Sequence, residues 1–193
     1  MKRTRTGATA RFKPTAEDMA DAVNRRVPDI IGPGLKVLFC GINPGIYTAA
    51  IGRHFGRPGN RFWPALHAGG FTPRILSPFE NEELLALGYG ITNLVERPTV
   101  LASELSREEL QGGARKLERK IRHFGPTYVA FLGITSYRSA YGRASAVVGE
   151  QLGHAFGRTR VWVLPNPSGL NAHFTPGKLK DVFRALHAAV EAA

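Results

Sequence analysis

Four short apolar runs, at residues 36–40, 90–95, 127–132 and 161–164, alternate with segments that carry helix signals, and this alternation limits the fold more than any other feature. Consecutive apolar residues over such lengths suit strands buried on both faces, as in a parallel sheet. The helix signals between them are local. Asn60 stands before an apolar segment through Trp63 to His67, and Gly69-Gly70 is placed to end it. Pro78 precedes a segment expected to be helical over 79–87. Ser106-x-x-Glu109 is a capping box opening a helix with Leu110, Leu117 and Ile121 on one side. Residues 134–141 suit a short helix, and a terminal helix is expected over 178–192. Strands alternating with helices predict βαβ units, hence an α/β fold with three αβα layers around a central, mostly parallel sheet.

Upstream, Thr15 can cap a short helix whose first turn holds Glu17 and Asp18, and Pro28 and Gly32-Pro33-Gly34 break the chain before the first strand. Residues 1–14 carry Lys2, Arg3, Arg5, Arg11 and Lys13 without an acid and read as a flexible basic arm. Residues 15–193 read as a single domain, because 193 residues at 43% hydrophobic content can bury one real core.

Two small-residue loops follow apolar runs. Gly41-Ile42-Asn43-Pro44-Gly45 follows the first, and Asn166-Pro167-Ser168-Gly169-Leu170 follows the last. Both therefore leave the carboxyl end of a strand, the edge at which open α/β sheets bind ligands. The formal charge is +11, and its distribution matters more than its size. Residues 41–61 carry Arg53, Arg57 and Arg61, and residues 156–180 carry Arg158, Arg160, Lys178 and Lys180, with no acid in either stretch. Acids collect at 80–83 and 104–109. Such segregation favours a polyanionic partner, nucleic acid above all.

Several chemistries are unsupported. There is no Walker-type phosphate loop and no Gly-x-Gly-x-x-Gly after a strand, and Pro167-Ser168-Gly169 lacks the spacing of a nucleophile elbow. The histidines at 54, 67, 123, 154, 173 and 187 show no close metal-ligand spacing. Cys40, the single cysteine, permits neither an internal disulfide nor a cysteine-ligated iron–sulfur cluster, and reads as a small core residue. No metal or cofactor is expected. No apolar stretch is long enough for a membrane span, so a cytoplasmic, nucleoid-associated protein is expected. What remains is a stiff loop presenting one amide. Gly41 and Gly45 let backbone approach a ligand, Pro44 rigidifies the turn, and Asn43 offers two donors and an acceptor. In such a turn Asn43 can equally close an Asx-turn.

Four motifs in register carry a resemblance. Gly41-Ile42-Asn43-Pro44-Gly45, Pro58-Gly59-Asn60-Arg61-Phe62-Trp63, Thr92-Asn93-Leu94-Val95-Glu96-Arg97-Pro98-Thr99 and Asn166-Pro167-Ser168-Gly169-Leu170 recur in the order found in the mismatch-specific uracil-DNA and thymine-DNA glycosylases. The chain resembles that family from Val37 onward. The resemblance implies a uracil-DNA glycosylase-like fold and a monofunctional enzyme. Such an enzyme hydrolyses the N-glycosidic bond of uracil, with thymine or a modified cytosine as the alternative bases, in mismatched double-stranded DNA and starts base excision repair as a monomer. It implies that Asn43 positions the attacking water and that Phe55 stacks on the extruded base. Ile42, Gly45, Thr48 and Asn93 would complete the base pocket. Ser168, Gly169, Leu170 and Asn171 would enter the duplex and meet the widowed base, and Arg53 and Arg57 would contact phosphates. Asn171 departs from the serine common in bacterial relatives, and the roles of His173 and Phe174 stay open.

The residues themselves leave two alternatives: a non-catalytic module recognising distorted duplexes, and an N-glycosidase acting on free nucleosides or nucleotides. Phe62 and Trp63 are expected in the core, whereas Phe55, in a Gly/Arg loop without periodicity, suits a ligand. Arg115, Lys116, Arg119 and Lys120 are expected on a solvated helix face.

Overall fold

Three of the expected strands are completely buried along their length. β1 (Val37–Gly41), β2 (Tyr89–Asn93) and β3 (Tyr128–Leu132) each bury all five residues, which is what a parallel sheet covered on both faces requires. The computed structural model describes residues 13–169 and 171–193, so most of the basic arm and Leu170 lie outside the described residues. β1 pairs in parallel with both β2 and β3, and β3 pairs in parallel with β5 (Thr159–Leu164). A fifth strand, β4 (Gly149–Phe156), which the sequence pattern did not announce, runs antiparallel to β5. The sheet order is β2-β1-β3-β5-β4. This is the mostly parallel α/β architecture expected.

Alternation along β1 separates the two flanking layers. Phe39 points to one face, where Phe62, Trp63, Phe183 and Leu186 pack on it. Leu38 and Cys40 point to the other, among Leu117, Ile121, Phe131 and Tyr137. The first layer comes from α3 (Phe62–Ala68) and α7 (Pro176–Glu191), the second from α5 (Arg107–Phe124) and α6 (Ile134–Tyr141). α5 starts at the expected capping box, with Glu109 N–H donating to Ser106 Oγ at 3.1 Å. Its buried Leu110, Ala114, Leu117 and Ile121 lie three and four apart, one stripe of a helix. Thr15 likewise caps α1 (Ala16–Asp21), and α2 (Ile46–Ile51) follows the first loop.

Three readings are corrected. The segment expected as a helix over 79–87 is a 3-10 turn, Pro78–Glu80, followed by the single turn α4 (Glu83–Ala86). Glu80 folds back to accept from Ser77 N–H at 2.7 Å and from Arg74 at 3.0 Å, which tightens the first turn. Asn60 acts one position before the helix start, its Oδ1 accepting from Phe62 N–H at 2.9 Å while Arg61 is the capping residue. Lys120 leaves the solvated face of α5 to meet Asp29 Oδ2 at 2.6 Å. Phe62 and Trp63 are core residues as expected, and Cys40 is buried, with its thiol pushed far up by desolvation.

Candidate active site

A cavity of 510 Å³ opens at the carboxyl ends of the parallel strands, between the loop after β1 and the loop after β5. The fold explains its place. β1, β3 and β5 end there side by side, so Ile42-Asn43, Gly133 and Pro165-Asn166 all reach its wall. No aspartate or glutamate lines it among the described residues.

Asn43 is locked in one orientation. Its Nδ2 donates to Arg97 O at 2.9 Å and to Thr99 Oγ1 at 2.7 Å. Arg97 O can only accept, so the nitrogen must sit there, and Oδ1 is left as the acceptor. The turn is therefore more than a self-closed Asx-turn: the segment after β2 holds it. Thr99 N–H donates to Pro44 O at 3.1 Å and Ile46 N–H to Thr99 O at 3.1 Å, which zips the two segments together. Thr99 closes one of the four sequence motifs, but its role becomes visible only in space.

Phe55 is the one described non-glycine residue with positive φ, at 53°. Such a conformation is uncommon for a bulky side chain and persists where surroundings over-determine it. One face of the Phe55 ring stacks on Phe62, with centroids 4.1 Å apart and planes at 26°, and the ring also lines the cavity. A core aromatic thus backs an aromatic that faces the cavity.

Asn93, at the end of β2, is oriented by a buried histidine. His54 Nε2 lies 2.9 Å from Pro28 O, which can only accept, so Nε2 carries the proton. Nδ1 is then an acceptor, and Asn93 Nδ2 donates to it at 3.4 Å. Burial pushes the His54 pKa down, keeping the ring neutral. Asn93 Oδ1 hangs over Gly41, and a Cβ on Gly41 would collide with it and lie 3.3 Å from the Phe55 ring. Thr48 is buried at the cavity side. The carbonyls of Ile42 and Gly45 are already engaged, by Val95 N–H and Ala49 N–H respectively, both at 2.9 Å.

The two basic candidates part company. Arg57 is exposed at the cavity mouth. Arg53 turns away to Glu82, 3.7 Å distant. Ser168, Asn171, His173 and Phe174 line the opposite wall, and Phe174 also packs against the core. The loop holds itself through Asx contacts: Ser168 N–H donates to Asn166 Oδ1 at 3.0 Å and Asn171 Nδ2 to Asn166 O at 3.0 Å. Gly169 sits against Gly59, where a Cβ would lie 2.6 Å from the Gly59 carbonyl oxygen. Val100 and Leu101 form an exposed apolar lip that sequence reasoning missed.

A family model described as the uracil DNA glycosylase superfamily matches residues 28–189, a span that takes in every strand and both loops. The chain belongs to the uracil-DNA glycosylase superfamily. Membership carries DNA glycosylase chemistry in general, the hydrolytic release of a base from DNA. Among solved structures the chain is similar to a Methanosarcina acetivorans protein, determined by solution NMR and described as a candidate uracil DNA glycosylase. The two share 21% identity at a TM-score of 0.53, over 84% of this chain and 98% of the other. At that identity the likeness bears on the fold. Among the described residues no cluster of three or more His, Cys, Asp or Glu is placed to hold a metal ion, and no helix is long and apolar enough to cross a membrane.

Proposed function

We propose that this superfamily member is a monofunctional, mismatch-specific uracil-DNA glycosylase acting on duplex DNA as a monomer, with Asn43 positioning the nucleophilic water. The observation that carries the reading is the Asn43 amide, clamped by Arg97 O and Thr99 Oγ1 so that its oxygen is the acceptor in a cavity that no carboxylate lines among the described residues.

The geometry suits the following steps. A stacked base hides its glycosidic bond, so the nucleotide must leave the helix, and a mispaired base leaves most cheaply. A flipped uracil stacks on Phe55, which Phe62 supports from behind. Asn93, held by His54, offers Oδ1 to the base N3–H and its second amide hydrogen to the neighbouring carbonyl. With the Ile42 and Gly45 carbonyls engaged, the first loop contributes N–H groups to the base. Residues 168–171 enter the duplex in its place, and Arg57 meets a phosphate. Asn43 Oδ1 accepts from water and aims its oxygen at C1′. An amide oxygen is a poor base, so the water is oriented rather than ionised. Bond breaking builds positive charge on the sugar and negative charge on departing uracil, and the reaction leans on positioning and on N–H donors at the leaving base. A slow chemical step follows from this.

The test is a G·U duplex treated with the protein and then with hot alkali, which breaks the strand at abasic sites. Wild type is expected to yield cut strand, and Asn43→Ala to lose about a hundredfold or more in single-turnover rate. Binding without cutting would favour the recognition-module alternative, and an Asn43→Ala variant that cuts at the wild-type rate would refute the water assignment.

A further inference from the structure

Arg61 belongs to the acid-free basic stretch, and its charge suggests a phosphate ligand. Its contacts suit a different role, and we propose that Arg61 is a positioning residue that holds the 168–174 loop in the shape that enters the duplex. This rests on the glycosylase reading above and adds a residue to it.

The guanidinium is turned inward. Nη1 donates to Phe174 O at 2.5 Å, and Nη2 donates to Ser168 O at 2.6 Å and Asn171 O at 2.8 Å. Three carbonyls, from residues three apart, thus converge on one cation. Without it, three oxygen dipoles would face one another in a half-buried space, and the loop would open to hydrate them. The main chain reinforces the tie, since Arg61 N–H donates to Pro167 O at 3.0 Å. Gly169 packs on Gly59 two residues earlier, so the 58–61 segment forms a floor beneath the loop. Arg61 Nε is buried with no partner. An arginine that leaves one buried donor unmet in order to cap three carbonyls is serving the loop. Its planar fork suits three acceptors in a way that a lysine head does not.

A loop-holding role and a phosphate role differ in what they affect. A stiff loop matters most where a partner base must be parted and its gap filled, and least where there is no partner. The experiment measures single-turnover uracil release from two duplexes, one with uracil opposite guanine and one with uracil opposite an abasic site, for wild type, Arg61→Met and Arg61→Lys. Arg61→Met is expected to lose about tenfold or more on the first duplex and about threefold or less on the second, with Arg61→Lys between. The salt slope of binding should stay at the wild-type value. Equal losses on both duplexes would overturn the proposal, and so would a slope lower by about one charge, the mark of a phosphate contact. If Arg61→Met does not fold, Arg61→Lys carries the same comparison. Failure of wild type to release uracil from either duplex would strike the glycosylase reading instead.

Discussion

The Asn43 amide is useful only while it cannot turn over, because a reversed amide would aim N–H groups at the water it should receive. Two acceptors prevent that, and one of them is a side chain that can be changed. Thr99→Val removes an acceptor and leaves a methyl group against a part-buried N–H, which costs about 1–3 kcal/mol. The expected outcome is a kcat about tenfold lower with KM little changed, while Thr99→Ser keeps wild-type kinetics. A Thr99→Val enzyme with unaltered kcat would mean that Arg97 O alone suffices. Asn43 and Asn93 stand out in the sequence because their motifs are short and contiguous, and Phe55 because it sits in a Gly/Arg loop without periodicity; all three line the cavity. Thr99 and Arg61 stand inside such motifs, but what they hold is not written there, for a physical reason: their partners lie 56 and 107–113 residues away, where no local pattern reaches. Arg53 has a neighbour of the same hidden kind, Glu82 at 3.7 Å, which no local pattern announces.

Helix α5 carries two adjacent glycines with opposite surroundings, a matched pair for the contact between this helix and the end of β2. A Cβ on Gly113 would run into the Leu94 carbonyl, whereas on Gly112 it would meet only an Arg115 nitrogen at 3.8 Å. Alanine normally gains about 1 kcal/mol over glycine within a helix. Gly112→Ala should keep that gain. Gly113→Ala must push α5 off the segment next to Asn93, and such overpacking costs about 1–3 kcal/mol. The melting temperature is therefore expected to rise slightly for Gly112→Ala and to fall by several degrees for Gly113→Ala. Equal responses would mean that the helix slides freely over Leu94. Elements that bury a face wrote themselves into the sequence, as the stripe of α5 and the runs of β1, β3 and β5 show. β4 did not, because most of its residues are half-buried or exposed, Leu152 is 86% exposed, and its pairing with β5 slips between Glu150 and Ala155. An edge strand with one irregular partner has no alternation to read.

Across the whole molecule, several acids meet basic partners away from the cavity. Glu80 and Glu83 pair with Arg74, and Glu109 pairs with Arg97, and among the described residues no carboxylate lines the cavity wall on a chain of net charge +11. Two histidines couple this fold to pH. Burial lowers the pKa of His54, and burial together with nearby Arg143 lowers that of His154 to about 4. An unfolded imidazole titrates near 6.5. Between that value and the folded value the unfolded chain binds more protons, so stability rises with pH across the interval. The stability these neutral rings supply is complete above pH ~6.5 and, for His154, drains away as pH falls toward about 4. The geometry is compatible with this sign, since the Tyr137 hydroxyl and His154 Nδ1 lie 2.5 Å apart, and a neutral ring can accept from the hydroxyl there whereas a protonated ring cannot. Glu109, held down to about 2 by the Arg97 hydrogen bond, loses its contribution only at lower pH, through its ordinary range and below. The melting temperature should therefore fall from pH 7 to pH 5, and His154→Gln, which keeps an acceptor for Tyr137 without a titrating ring, should flatten that fall. Parallel pH profiles for the two proteins would assign the acid sensitivity to His54 and leave the His154 cluster without a part in it.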